Sequence, residues 1–208
     1  MGEKILLVEG TDDEHVLKHI CGNRGVPQLD AVKPHGGVDQ LLDSFPVRLK
    51  ASGEGDIVGL VIDADTDLNA RWLSLRDRLI QVGYASVPVN PAPDGTILAP
   101  PADRLLPRVG IWIMPNNQTK GILEDFLRFL VPSDSRLFEH VKSTVESIPV
   151  GERRFSLLAE PKAVIHTWLA WQEEPGKPYG VAITGKFLDP NVAQVDVLVS
   201  WLNRLFYP

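Results

Sequence analysis

No second cysteine accompanies Cys21 in the 208 residues, so no disulfide can close within the chain, and a lone thiol fits a reducing compartment. Its neighbours Val16, Leu17 and Ile20 assign it to packing rather than chemistry. No apolar run approaches the roughly 20 residues of a membrane span. The chain opens on an expected strand rather than a basic leader, and Leu6 stands where a myristoylation signal wants Ser or Thr. These absences give the expectation of a cytoplasmic protein that does not engage a membrane. Internal repeats and low-complexity tracts are missing too. So is the G-x-x-x-x-G-K-[ST] phosphate loop, and any nucleotide-driven regulation would need a separate ATPase or other protein partner.

A basic excess is also lacking. The net charge of −6, from 21 basic and 27 acidic residues, argues at face value against a nucleic-acid partner. The acids, however, are bunched: Glu9, Asp12 and Asp13, then Asp63, Asp65 and Asp67, then Glu124 and Asp125. With these set aside, acids no longer outnumber bases, a distribution compatible with a phosphate substrate bridged by metal. What remains is ordinary for a globular protein, at 44% apolar and 23% charged residues.

Hydrophobic patterning gives the fold class. Ile5 to Val8 reads as a buried strand, followed by a glycine turn and a helix that Thr11 or Asp12 can cap, with Val16, Leu17, Ile20 and Cys21 on one face. A strand at Leu29 to Val32, a helix carrying Val38, Leu41, Leu42, Phe45 and Leu49, the strand Ile57 to Ile62 and an Arg-rich helix from Leu68 to Val82 complete the alternation. Strand and helix in strict turn predict an α/β fold with a mostly parallel sheet sandwiched by helices. Ala85 to Val89 is expected as a fourth strand. Thr96 to Leu98 and Val109 to Met114 are expected to pair as a hairpin or terminal strand pair. Beyond Gly121 the pattern is helical, except that Val181 to Thr184 reads as short and extended. One domain over 1–208 is expected, its core reaching about residue 115 and a helical extension from about 120 to 208 packed on it.

The acidic clusters sit where this pattern puts strand ends. Asp63 and Asp65 leave a buried strand as an Asp-x-Asp pair, and alternate residues of extended chain point the same way, so the two can share a hard cation, Mg2+ or Mn2+. Helix capping by Asp65 and Asp67 is the competing account. Calcium fits poorly, because Leu68 and Ser74 stand where an EF-hand loop needs Gly and Glu. Glu9 and Asp13 flank the first strand-to-helix turn and can face one point above the sheet edge. Four carboxylates on adjacent edges would repel one another, and a cation is the simplest reason for the cluster. Arg71, Arg76 and Arg78 follow on the next helix and are candidates for contacts to flanking phosphates, against the commoner role of a solvated face. His35, His140 and His166 read as turn, surface and packing residues. Trp168 and Trp171 read as core.

Val8-Glu9-Gly10-Thr11-Asp12-Asp13, followed by Val61-Ile62-Asp63-Ala64-Asp65, resembles the toprim domain shared by topoisomerases, primases and OLD-type nucleases. Gly121 to Asp125 and Lys162 to Trp171 are similar to small stand-alone bacterial toprim-like proteins related to the nuclease branch. The resemblance implies a Rossmann-like sheet, with Glu9 as metal ligand or general acid/base and Asp63 and Asp65 as metal ligands. It further implies that Glu124 binds a second metal and that Lys162 steadies the transition state. The expected function is thus Mg2+- or Mn2+-dependent phosphodiester hydrolysis of DNA or RNA by a two-metal carboxylate site, with Glu9, Asp13, Asp63, Asp65 and Glu124 around the two cations. The alternative is a non-catalytic toprim scaffold, a nucleic-acid-binding or regulatory subunit of a defence or repair complex. A haloacid-dehalogenase-like phosphatase ranks lower, since that family places its Asp-x-Asp on the first strand and wants Thr or Val where Asp67 stands.

Overall fold

The computed structural model describes residues 2–102 and 104–208. Its elements in chain order are β1 (Lys4–Val8), α1 (Thr11–Asn23), β2 (Ala31–Pro34), α2 (Val38–Ala51), β3 (Ile57–Asp63), α3 (Leu68–Val82), β4 (Thr96–Leu98), β5 (Arg108–Met114), α4 (Leu123–Phe129), α5 (Arg136–Glu146), α6 (Glu160–Ala170), α7 (Tyr179–Thr184) and α8 (Ala193–Phe206). The sheet runs β2-β1-β3-β5-β4. Its first four strands are parallel and β4 pairs antiparallel with β5. The fold is α/β with a mostly parallel sheet between helices, as the alternation predicts.

Both faces of the sheet are covered, which explains why its strands are apolar at nearly every position. Leu6, Val8, Val61, Trp112 and Met114 bury against α1 and the helices from α4 onward. Their alternates Ile5, Leu7, Leu60, Ile62, Ile111 and Ile113 bury against α2 and α3. The segment after Gly121 is therefore one of the two layers that close the sheet. The long helix α8 comes close to the middle strands because they are bare there: a Cβ on Gly110 would lie 2.4 Å from Leu205 Cδ2. Among the described residues no helix is long and apolar enough to cross a membrane.

Chain direction fixes where a crevice opens. From β1 the chain moves outward to β2 through α1 on one face, then back across β1 to β3 through α2 on the other. The reversal lies between β1 and β3, and at such a switch point the two neighbouring loops leave the sheet in opposite directions. Glu9 follows β1 and Asp63 ends β3, so the crevice has a carboxylate on each side.

Two expectations about elements are corrected. Ala85 to Val89 is irregular rather than a strand: Pro88 has no N–H for a ladder, and Trp72 Nε1 of α3 donates to the Val89 carbonyl at 2.9 Å. Val181 to Thr184 is not extended but lies in α7, which docks on α1 through a 2.7 Å bond between His19 Nδ1 and Thr184 Oγ1.

Candidate functional site

The cleft at the switch point has a volume of about 440 Å³ and is lined by Glu9, Thr11, Asp12, Asp13, Asp63, Glu124 and Lys162, with Gly10, Gly37 and Leu123 between them. The acids arrive from different parts of the chain, with Asp12 and Asp13 together on α1. Glu9 turns toward β3, where its Oε1 accepts the Asp63 N–H at 2.7 Å. Asp13 reaches back across the first turn of α1, its Oδ2 accepting the Gly10 N–H at 3.0 Å. That bond caps the helix in place of the expected Thr11 or Asp12, because Gly10 itself has no side chain to offer. Asp63 has one oxygen, Oδ1, that is buried without a hydrogen-bond partner.

Glu124 comes from the opposite layer, and backbone pairing sets its place. Asp65 and Gly121 exchange N–H to carbonyl bonds of 2.9 Å in each direction, which clamps the start of α4 to the exit of β3. On α4 the two adjacent acids diverge by about 100°. Glu124 points inward with 4% exposure, whereas Asp125 turns back to cap Ile122 N–H at 3.0 Å and faces Arg128. Lys162, at the start of α6, sets Nζ 3.4 Å from Glu124 Oε1 and 3.9 Å from Asp12 Oδ2.

Packing four acids together has an electrostatic cost. Burial first, then the charge of Glu9, pushes the Asp13 carboxyl up to about 7. Burial followed by the charges of Glu9, Asp13, Glu124 and Asp65 holds Asp63 well above the usual carboxylate range. Glu9 is raised for the same leading reason, offset in part by the bond from the Asp63 N–H.

Asp65 departs from its expected place beside Asp63. Its backbone turns left-handed, φ 55°, which breaks the alternation of extended chain, and its carboxylate pairs with Arg71. It lines a separate hollow with Thr66, Asp67, Ala70 and Ser74. Asp67 is the N-cap of α3, accepting from Asn69 N–H at 2.9 Å and Ala70 N–H at 3.0 Å, which is the capping account. The three arginines do not form a phosphate-facing row. Arg71 is spent on Asp65 and on the Asp63 carbonyl, at 2.8 Å from its Nε. Arg76 has its Nε buried and without a partner. Arg78 Nε donates to the Leu42 carbonyl at 3.0 Å. That carbonyl lies four residues before Pro46, inside α2, and Pro46 has no N–H to give it. Arg78 thus repairs a gap in a helix.

Two further residues join the site: Tyr179, which the sequence did not single out, and His166, expected only to pack. Tyr179, 3% exposed, donates to Glu124 Oε1 at 3.1 Å and meets His166 Nε2 at 2.8 Å on its other side. Burial, then the Glu124 charge, raises the Tyr179 hydroxyl so that it keeps its proton. The available signal was the spacing of Lys162 and His166, one helical turn apart on α6 and so on one face.

The donor set consists of hard carboxylate oxygens, and the orphaned Asp63 oxygen together with unrelieved repulsion suits a divalent cation. It is not prearranged: among the described residues no three His, Cys, Asp or Glu side chains stand in ligating geometry. Glu9, Asp13 and Glu124 each keep one oxygen on a partner within the protein, and bringing their second oxygens to one point requires side-chain movement. No curated protein and no solved structure matches the chain. A family model does match, over residues 3–207, and the chain belongs to that family, described as "Protein of unknown function (DUF3226)".

Proposed function

We propose that the chain is a toprim-like, cytoplasmic phosphodiesterase acting on DNA or RNA, with Mg2+ or Mn2+ held in the switch-point cleft. The observation that carries this reading is the convergence of Glu9, Asp13, Asp63 and Glu124, with one Asp63 oxygen buried and unpartnered. When bound, the cation supplies Lewis-acid polarisation of a phosphate and activation of water. Glu9, Asp13, Asp63 and Glu124 are the residues that would hold it. Glu9 also fixes the exit of β3 through the Asp63 N–H, which ties the two strand ends together. Lys162, half exposed at the cleft wall, brings a positive charge to where a phosphate oxygen would gain negative charge. Asp65 supports the site indirectly, by anchoring α4 and holding Arg71.

Metal holding and chemistry separate in two variants. Asp63→Asn is expected to weaken Mn2+ binding and abolish turnover together. Lys162→Ala is expected to keep metal affinity and lose about 10²- to 10³-fold in rate, as for the loss of one electrostatic stabiliser. Calorimetric Mn2+ titration and cleavage of single- and double-stranded DNA and RNA check both on the same preparations. Parental Mn2+ affinity in Asp63→Asn would sink the metal assignment.

The Lys162–Glu124 pair and the lack of prearranged ligands favour a second reading. In it the scaffold is non-catalytic, a nucleic-acid-binding or regulatory subunit of a defence or repair complex, with an ATPase or other protein as partner. Mn2+ binding without cleavage of any of the four substrates would select it.

A further inference from the structure

Glu124 is the most enclosed acid of the cleft, and an ionised carboxylate only accepts hydrogen bonds. Tyr179 gives it one, O–H to Oε1 at 3.1 Å. A phenol has a single hydrogen, and once that is committed its oxygen offers only lone pairs to a second neighbour. That neighbour is His166 Nε2 at 2.8 Å, so this ring nitrogen must carry a proton. The imidazole and phenol rings lie face to face in a tilted stack, centroids 5.0 Å apart, which restrains both.

We propose that His166 and Tyr179 are positioning residues that form a one-directional hydrogen-bond chain, His166 Nε2–H to Tyr179 oxygen and Tyr179 O–H to Glu124 Oε1, aiming the Glu124 carboxylate at the cation in the cleft. The inference rests on the reading of Glu124 as a cation ligand. It gives α6 two arms on one oxygen: Lys162 reaches Glu124 directly, and His166, one turn further along, reaches it through the phenol. The ionic arm is long and half exposed, free to turn toward a substrate phosphate. The neutral arm is short, and its middle member is buried, so it keeps the carboxylate oriented when the lysine leaves. Oriented ligands of this kind raise metal affinity through partners that never touch the metal. His166 itself is exposed, so the chain runs from the surface to the buried acid.

If Tyr179 were only core packing, Phe would serve as well. The test is therefore Tyr179→Phe, with His166→Ala and His166→Gln, in the full chain. Imidazole nitrogen shifts from long-range proton–nitrogen spectra are read alongside Mn2+ titration and thermal midpoint. Expected in the parent is a protonated His166 Nε2. Tyr179→Phe should keep its midpoint near the parental value yet bind Mn2+ about tenfold more weakly. His166→Ala should weaken binding by a smaller factor, and His166→Gln, whose amide can donate to the phenol oxygen, should restore it. An unprotonated Nε2, or parental Mn2+ affinity in Tyr179→Phe, overturns the chain while leaving the cation reading intact. A parent that binds no Mn2+ sinks the cation reading and with it the purpose of the chain, and the nitrogen signal then still settles its direction.

Discussion

Asp63 concentrates the electrostatic strain of the cleft, because it is the last residue of a central strand and faces the charges of Glu9, Asp13, Glu124 and Asp65. Its folded carboxyl, like that of Asp13, binds a proton more tightly than the unfolded chain does. The native state therefore holds the extra proton, and stability falls as pH rises wherever the native state binds more protons. For Asp13 the loss runs from its unfolded value of 3.8 to its folded value of about 7, and for Asp63 it runs upward from the same start. In metal-free protein the thermal midpoint should thus decline from about pH 5 to about pH 8 more steeply in the parent than in Asp63→Asn, which carries no charge at that position. The variant should be the more stable of the two at the alkaline end. Scanning calorimetry at both pH values checks this. A parent more stable than Asp63→Asn at the higher pH would show that the acids do not repel as their burial requires.

At the scale of elements, the pairing of Arg78 with Pro46 decides what the Arg-rich helix is for. Arg78→Ala should leave the Leu42 carbonyl without a donor and cost about 1–3 kcal/mol. Pro46→Ala restores a backbone N–H at that point of α2, so the same arginine substitution in that background should cost clearly less. Denaturant unfolding of the four combinations measures the coupling; equal costs in both backgrounds would remove the repair role. Sequence could not reveal it, since the bond joins residues 36 apart on two helices.

Helices α1 to α3 and α8 were legible because burial on one face imposes a periodic pattern, and strands β1 and β3 because burial on both faces makes each a run of apolar residues. The Thr96 to Leu98 pairing with β5 was legible for the same reason. α7 was not: Val181, Ile183 and Thr184 have strand-like propensity, and only docking against His19 on α1 makes the segment helical. At the site, Glu9, Asp13 and Asp63 were legible as strand-end and helix-start acids, and Glu124 with Lys162 through a family likeness. Asp65 was misplaced because a single left-handed residue cancels the alternation on which its assignment relied.

For the whole molecule, one topological reversal brings the cleft into being. β1 and β3 are neighbours in the sheet but separated in sequence by two crossovers on opposite faces, and the C-terminal layer then closes the crevice with α4 and α6. An acidic protein of net charge −6 gains little from long-range attraction to a polyanion, so the proposed function depends on charge reversal inside the cleft. The central claim of the proposed function is therefore that this cleft takes a divalent cation. Anomalous diffraction from crystals soaked in Mn2+ tests it most directly. The account expects a Mn2+ peak bounded by Glu9, Asp13, Asp63 and Glu124, with the Asp63 oxygen that now lacks a partner among its ligands. A peak instead beside Asp65 and Asp67, or none at all in crystals soaked well above the solution affinity, would contradict it.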